Sequence, residues 1–146
     1  MANVYSKALD KSITIDRIIG SIKGEQPGPT IIFTAGIHGN EPSGVFALKT
    51  VLNQLEKIQV PVCGNVYAIS GHLWALEKGV RYQKQDLNRM WTDKQLHKLG
   101  QNGLDQTDED AAQQHQIFSK IKSILATEQG PFYFMDLHTT SSDTIP

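Results

Sequence analysis

The sequence predicts an α/β domain built on a largely parallel (mixed) sheet, and three observations carry that expectation. Short, nearly continuous apolar runs at residues 30–36 (TIIFTAG), 63–70 (CGNVYAIS) and 131–138 (PFYFMDLH) have the composition of strands covered on both faces, as parallel strands are. Apolar stripes of helical period separate them. No repeat, low-complexity tract or composition shift marks a linker, so residues 1–146 are read as a single α/β domain. A chain of 146 residues with 39% hydrophobic content can bury roughly two thirds of its unfolded surface, enough for one core.

Taken in order, residues 12–23 (SITIDRIIGSIK) alternate around Ile13 and Ile15 and are rich in β-branched side chains, which predicts a half-exposed strand near a sheet edge. Residues 24–29 read as a turn, and 30–36 as the first central strand. Val45, Leu48, Leu52 and Leu55 then recur at helical spacing, on a helix that begins near Pro42, a residue tolerated in the first turn. A second central strand follows at 63–70, with Cys63 packed as a small apolar residue at its start. Residues 71–79 predict a turn and a short helix through Leu73, Trp74, Ala75 and Leu76, with Trp74 in the core and His72 in solvent. The polar stretch 81–108 carries no clear period. From about 108 to 128, Ile117, Ile121, Ile124 and Leu125 line one side of a long helix whose first turn holds Asp108, Glu109 and Asp110, where the helix dipole favours carboxylates. Gly130 and Pro131 end it, and 131–138 closes the pattern as another buried strand.

Charge and cysteine content narrow the function classes. Lys plus Arg total 14 and Asp plus Glu 15, a formal net charge of −1, so no field is available to hold a phosphate backbone or an anionic bilayer, and no nucleic-acid or membrane partner is expected. The lone Cys63 excludes an internal disulfide and a Cys-rich zinc knuckle, which fits a reducing cytoplasm. No apolar run reaches the ~18 residues of a membrane span.

The chemistry gathers at the carboxyl ends of the central strands, where open α/β sheets place their ligands. Just past the first stands GIHGNE, residues 36–41, which gives His38 and Glu41 the spacing H-x-x-E, with Gly36 and Gly39 permitting a sharp strand-to-helix turn. Just past the last stands DLHTT, where Asp136 and His138 share a face. Read singly, His38 caps a turn, His138 is an ordinary strand-end histidine and Asp136 caps the next turn. Read together, two imidazoles and a carboxylate from two strand ends match the His₂Glu set that binds catalytic zinc with one position open, and Asp136 is a candidate for holding a ligand imidazole in the right tautomer. Between them, RYQKQDLNRMW (81–91) supplies Arg81 and Arg89, suited to clamping a carboxylate or stabilising an oxyanion, and Asn88 as a further donor. The plainer reading of Arg89 is a surface pair with Asp86 or Asp93. Ser119 and Lys122 form an S-x-x-K match without its companion motifs, and His97 and His115 lie in polar, solvated context.

The ordered series GIHGNEPSG, RYQKQDLNR and DLHTT resembles the succinylglutamate desuccinylase and aspartoacylase family over residues 30–140. The resemblance implies a zinc carboxypeptidase-like, three-layer α/β/α fold. It implies one Zn2+ per chain held by His38, Glu41 and His138, with Asp136 supporting an imidazole. It further implies that Asn88 and Arg89 hold a substrate carboxylate and that Arg81, eight residues before Arg89, polarises the scissile carbonyl. The implied reaction is hydrolysis, by a water activated on zinc, of the amide bond in a small anionic N-acyl amino acid or related amide. A carboxypeptidase-like peptidase or amidase is the alternative among enzymes, and a non-catalytic metal-binding or interaction domain the alternative outside them.

The sequence departs from the family pattern in two places. The family's general base is a Glu on a later segment, and the 146 residues end before such a position; Glu77, Glu109 and Glu128 are not placed at the cleft by anything in the sequence. The turn after the second central strand is Gly71-His72-Leu73, where the family is usually closer to Asn-Pro. The expectation is therefore a fragment, the amino-terminal part of a catalytic domain, truncated at its carboxyl end. Apolar faces left without partners would make it a homo-oligomer or leave it with little activity alone.

Overall fold

The computed structural model describes residues 1–58, 61–100 and 108–139. The chain runs β1 (Ala2–Ser6), β2 (Lys11–Ile15), β3 (Ile18–Lys23), β4 (Gln26–Ala35), α1 (Ser43–Ile58), β5 (Cys63–Ser70), α2 (Leu73–Lys78), a 3-10 turn (Leu87–Arg89), α3 (Asp93–Gly100), α4 (Glu109–Thr127) and β6 (Phe132–Leu137). The main sheet has the order β3-β5-β4-β6, with β3 antiparallel to β5 and the other neighbours parallel. Strands β1 and β2 form a separate antiparallel hairpin.

Alternation along the parallel strands divides the core into layers. Phe33 and Ala35 on β4 and Val66 and Ala68 on β5 face one side, where Val45, Phe46, Leu48 and Leu52 of α1 cover them. Ile32 and Ile69 face the other side and meet Ile124 and Ile121 of α4. The result is an α/β/α arrangement. A smaller cluster of Ile37, Leu87, Met90 and Ile117 seats the 3-10 turn on α4, at the carboxyl edge of the sheet.

Several expectations shift. The single strand at 12–23 is two strands, because the chain leaves the hairpin at Asp16 and Arg17 and enters the main sheet at Ile18. The turn at 24–29 is confined to Gly24 and Glu25, with β4 already begun at Gln26 across an irregularity in its register. The polar stretch holds the 3-10 turn and α3, whose short lengths leave little periodic signal; its residues 101–107 lie outside the described residues. Cys63 is exposed at the edge of its strand, and Trp74 and Leu125 are half-buried and exposed respectively.

The largest correction is β6. Its apolar run reads as a buried strand, yet among the described residues β6 lies at the edge of the sheet, with Phe132 39%, Tyr133 52%, Phe134 55% and Met135 44% exposed. Helix α4 packs over β4 and β5 and does not reach across β6, so continuous hydrophobicity here reports a strand uncovered by the described residues. No helix among the described residues is long and apolar enough to cross a membrane.

Candidate metal centre

The first part of the site is built by the turn out of β4. Gly36 has φ 74°, a left-handed conformation that reverses the chain immediately after Ala35. At Gly39 a Cβ would fall 1.9 Å from the Ala75 carbonyl carbon, so only glycine lets this turn lie directly on the backbone of α2. The turn is fixed by Gly71 N–H to the Ala35 carbonyl and His72 N–H to the Gly36 carbonyl, both 2.8 Å. His38 is thereby buried at 3% exposure and Glu41 stands one turn on, just ahead of α1. The second part comes from β6, which is in register with β4 so that Asp136 is level with Thr34. His138 follows at the strand end.

Both imidazoles turn Nδ1 toward one carboxylate: His38 Nδ1 is 2.9 Å from Glu41 Oε1, and His138 Nδ1 is 3.1 Å from Glu41 Oε2. One ligand atom from each of the three residues lies within 4.8 Å of the others. Behind each ring stands another carboxylate. His38 Nε2 is 2.9 Å from Asp86 Oδ1, and His138 Nε2 is 2.8 Å from Asp136 Oδ2. Asp136 is held in turn by the Thr34 hydroxyl, which donates to Oδ1 at 2.6 Å.

This arrangement fits a cation. A neutral imidazole carries one proton, yet each ring faces a carboxylate oxygen with both nitrogens, so one contact per ring needs a further proton or a cation between the atoms. With neutral rings, three carboxylates (−3) and the neighbouring Arg81 (+1) leave a formal charge of −2, which a divalent ion neutralises. Nitrogen and oxygen donors with carboxylates on the remote imidazole nitrogens are the usual surroundings of zinc.

The electrostatics follow the same contacts. Burial would raise the Asp86 carboxyl, but hydrogen bonds from His38, Arg81 and the Asn88 N–H outweigh it and hold Asp86 at about 2. Burial likewise opposes ionisation of Glu41, and the Thr139 N–H, His38 and His138 overcome it and lower Glu41 below its ordinary value. For His138, burial disfavours the charged ring, while Asp136 and Glu41 raise it above the ordinary histidine value.

Of the remaining expected site residues, Arg81 and Asn88 are brought to the cluster. Arg81 donates from Nη2 to Asp86 Oδ2 at 3.0 Å, and its Nη1 is 3.7 Å from Glu41 Oε1. Asn88 Nδ2 is 3.3 Å from His138 Nε2. Arg89 is exposed on the 3-10 turn and forms no ion pair with any described residue, Asp86 and Asp93 included. Asp86, read from sequence only as a surface partner for Arg89, instead backs His38 as Asp136 backs His138. The signal was available: a second candidate ligand histidine asks for a second carboxylate, and Asp86 lies in the same motif as Asn88.

His72 is the other correction. Read as a solvated turn residue, it is fully buried at 0%. Its Nδ1 accepts the Ala75 N–H at 3.3 Å and caps α2, while its Nε2 meets Asp110 Oδ1 at 2.7 Å. Asp110, also 0% exposed, is a core residue as well as a first-turn carboxylate. Glu77, Glu109 and Glu128 are engaged elsewhere, with Asn3, with Gln113, and with Asn65 and Tyr67.

A cavity of about 260 Å³ adjoins the cluster, sharing Asn88 and Asp136 with it and floored by Ile37, Trp91, Ile117, Ile121 and Phe134. A larger one, about 460 Å³, lies at the opposite edge of the sheet between Lys23, Glu25, Glu56 and Pro61, among residues without a metal-ligating cluster.

Comparison with known proteins gives a consistent result. The profile of the succinylglutamate desuccinylase/aspartoacylase catalytic domain matches residues 27–144. The succinylglutamate desuccinylase of Photorhabdus laumondii is 34% identical over 80 residues, covering 55% of this chain and 25% of the relative; that of Yersinia pestis is 32% identical over 68 residues, covering 47% and 21%. Among solved structures, succinylglutamate desuccinylase from Vibrio cholerae matches with a TM-score of 0.66 at 18% identity over 82% of this chain and 34% of that one. The enzyme from Chromobacterium violaceum matches at 0.64 and 18% over 81% and 35%. At that identity these likenesses establish the fold. The chain spans about a quarter of the length of the curated relatives it matches and about a third of the solved ones.

Proposed function

Because this chain belongs to the succinylglutamate desuccinylase/aspartoacylase family, we propose that it is a zinc-dependent hydrolase, acting on the amide bond of a small, carboxylate-bearing N-acyl amino acid. The observation that carries the proposal is the convergence of His38, Glu41 and His138, with Asp86 and Asp136 on the remote ring nitrogens. These three residues would hold one zinc ion. When bound, zinc supplies Lewis acidity toward a carbonyl oxygen and a water of lowered pKa.

The chain's own residues account for the rest of the chemistry assigned here. Asp86 and Asp136 keep the remote ring protons, so that the Nδ1 lone pairs of His38 and His138 are free for the ion. Arg81, anchored on Asp86 and close to Glu41, presents fixed positive charge where an oxyanion would develop. Asn88 stands beside His138 at the mouth of the adjoining cavity, and Arg89 one residue on is exposed and forms no ion pair among the described residues. This pair is assigned the substrate carboxylate, which charge-assisted contacts to guanidinium suit. None of Glu77, Glu109 or Glu128 is assigned as general base, since each carboxylate is engaged away from the cluster.

The test is metal analysis followed by a substrate panel. The purified chain is expected to bind one zinc, and His38→Ala to abolish that binding; absence of stoichiometric zinc, unchanged by the substitution, would reject the metal. N-acyl amino acids are expected to be hydrolysed in preference to short peptides, and faster peptide cleavage would replace the deacylase assignment with a peptidase.

A further inference from the structure

The loop that carries Arg81 and Asp86 is anchored by a buried polar face on α4. Asp110, Gln113 and Gln114 are adjacent on that helix and all buried. The Gln114 amide donates to the Met90 carbonyl, and Gln113 Oε1 accepts the Leu73 N–H at 3.0 Å. Asp110 does most: Oδ1 takes His72 Nε2 at 2.7 Å and the Gln83 N–H at 3.2 Å, and Oδ2 takes the N–H groups of Lys84 at 2.8 Å and Gln85 at 3.0 Å.

Residues 83–85 are polar and exposed, with no apolar side chain to anchor them. Their fixed points on this side are the three N–H groups that Asp110 accepts. Asp86 comes next in the chain, and its oxygens meet His38 at 2.9 Å and Arg81 at 3.0 Å. A displacement of 83–85 therefore moves the carboxylate that orients His38 and the partner that holds Arg81. Four donors converge on two oxygens, which a carboxylate accepts in full; an amide in its place would turn an NH₂ group toward N–H groups.

We propose that Asp110, oriented by His72, is a positioning residue that sets the loop for zinc binding at His38 and for Arg81. Its metal consequence rests on the zinc assignment above; its hold on the loop does not. The Asp110 carboxylate itself touches none of the three cluster residues and reaches them through the 83–85 loop to Asp86 and Arg81, while the His72 backbone N–H separately holds the Gly36 carbonyl in the turn that carries His38.

The test uses Asp110→Asn, together with His72→Asn, which keeps a side-chain acceptor for the α2 cap while removing the imidazole link to Asp110. Amide hydrogen exchange is measured on the metal-free chain, and zinc affinity by competition with a chelator. In Asp110→Asn the amides of Gln83, Lys84 and Gln85 are expected to exchange at least about 10-fold faster, with those of Ile32 and Ala68 in the sheet unchanged. Zinc affinity is expected to fall about 10-fold, the lower end of what loss of an outer hydrogen-bond partner costs. His72→Asn is expected to shift both in the same direction by less. Unchanged exchange at 83–85 in a folded Asp110→Asn chain overturns the proposal. So does faster exchange with wild-type zinc affinity, which breaks the link to the metal. Should Asp110→Asn fail to fold, wild-type values of both quantities in His72→Asn overturn it equally. If the wild-type chain binds no zinc, the functional assignment fails on its own account, and the exchange measurement still decides whether Asp110 holds the loop.

Discussion

His72 and His38 are both buried beside carboxylates, and the difference between them separates a structural histidine from a candidate ligand. His72 has a donor on one side and an acceptor on the other: Nδ1 takes the Ala75 N–H and Nε2 gives to Asp110. One proton satisfies the neutral ring. His38 has carboxylate oxygens at both nitrogens, Glu41 on Nδ1 and Asp86 on Nε2, and His138 repeats the pattern with Glu41 and Asp136. Those rings are incomplete without additional positive charge. Burial and proximity to acids are common to both regions; the count of protons against acceptors distinguishes them.

Substitution at the two histidines tests that distinction most strongly. His72→Ala removes a hydrogen bond to a buried carboxylate and the cap of α2, about 2 and about 1 kcal/mol, so unfolding by urea should show a loss of about 3 kcal/mol with metal withheld. His38→Ala should show its deficit chiefly when zinc is added: zinc at 100 times its Kd stabilises the wild-type chain by about 2.7 kcal/mol, and the variant should gain none of it. If zinc stabilised both variants equally, the comparison would collapse.

The His38–Glu41–His138 cluster was legible in the sequence because each of its residues sits in a short motif at a strand end, a place fixed by apolar periodicity. His38, Glu41, His138 and Asp136 depend only on where β4 and β6 end, and the stripes of Val45, Leu48 and Leu52 on α1 and of Ile117 and Ile124 on α4 settle the layers that hold those strands. What stayed hidden depends on contacts distant in sequence. His72 and Asp110 are 38 residues apart, and neither has a local pattern that marks it as buried. The role of Asp86 requires knowing that its loop folds back over His38, which Asp110 arranges. The edge position of β6 was hidden for another reason: an apolar run reports what a strand can bury, while its neighbours determine what it does bury.

A smaller effect is expected where the comparison turns on the remote ring nitrogen. Asp136→Asn leaves the three ligands in place and replaces the carboxylate behind His138, itself fixed by Thr34. Zinc affinity should fall 10- to 100-fold, roughly 1.4 to 2.8 kcal/mol, as is usual for an outer carboxylate. Thermal stability of the metal-free chain should change far less than in His72→Ala. An affinity equal to wild type would mean that Asp136 does not set the orientation of His138.

The smallest effect lies in the pH dependence, and it distinguishes the two kinds of group within the cluster. Asp86 is held at about 2, below its ordinary 3.8. A carboxyl whose folded pKa is depressed stabilises the chain above its unfolded value and loses that contribution as pH falls through the folded one, so the window runs from about pH 4 down to about pH 2. The full contribution is at most roughly 2.5 kcal/mol. His138 has the opposite sign: its ring is raised above the ordinary value, so its contribution is complete below about pH 6.5 and fades as pH rises through the folded value. Urea titrations of the metal-free chain from pH 7 to pH 2 should therefore give a wild-type curve that converges on that of Asp86→Asn below pH 4. Curves that stay parallel to pH 2 would mean that the hydrogen bonds at Asp86 persist in the unfolded chain or are absent from the folded one. Zinc should remove the His138 contribution outright, because a ring that ligates the ion through Nδ1 has given up that proton, and zinc affinity should accordingly rise with pH across the interval where His138 alone would be losing its hold.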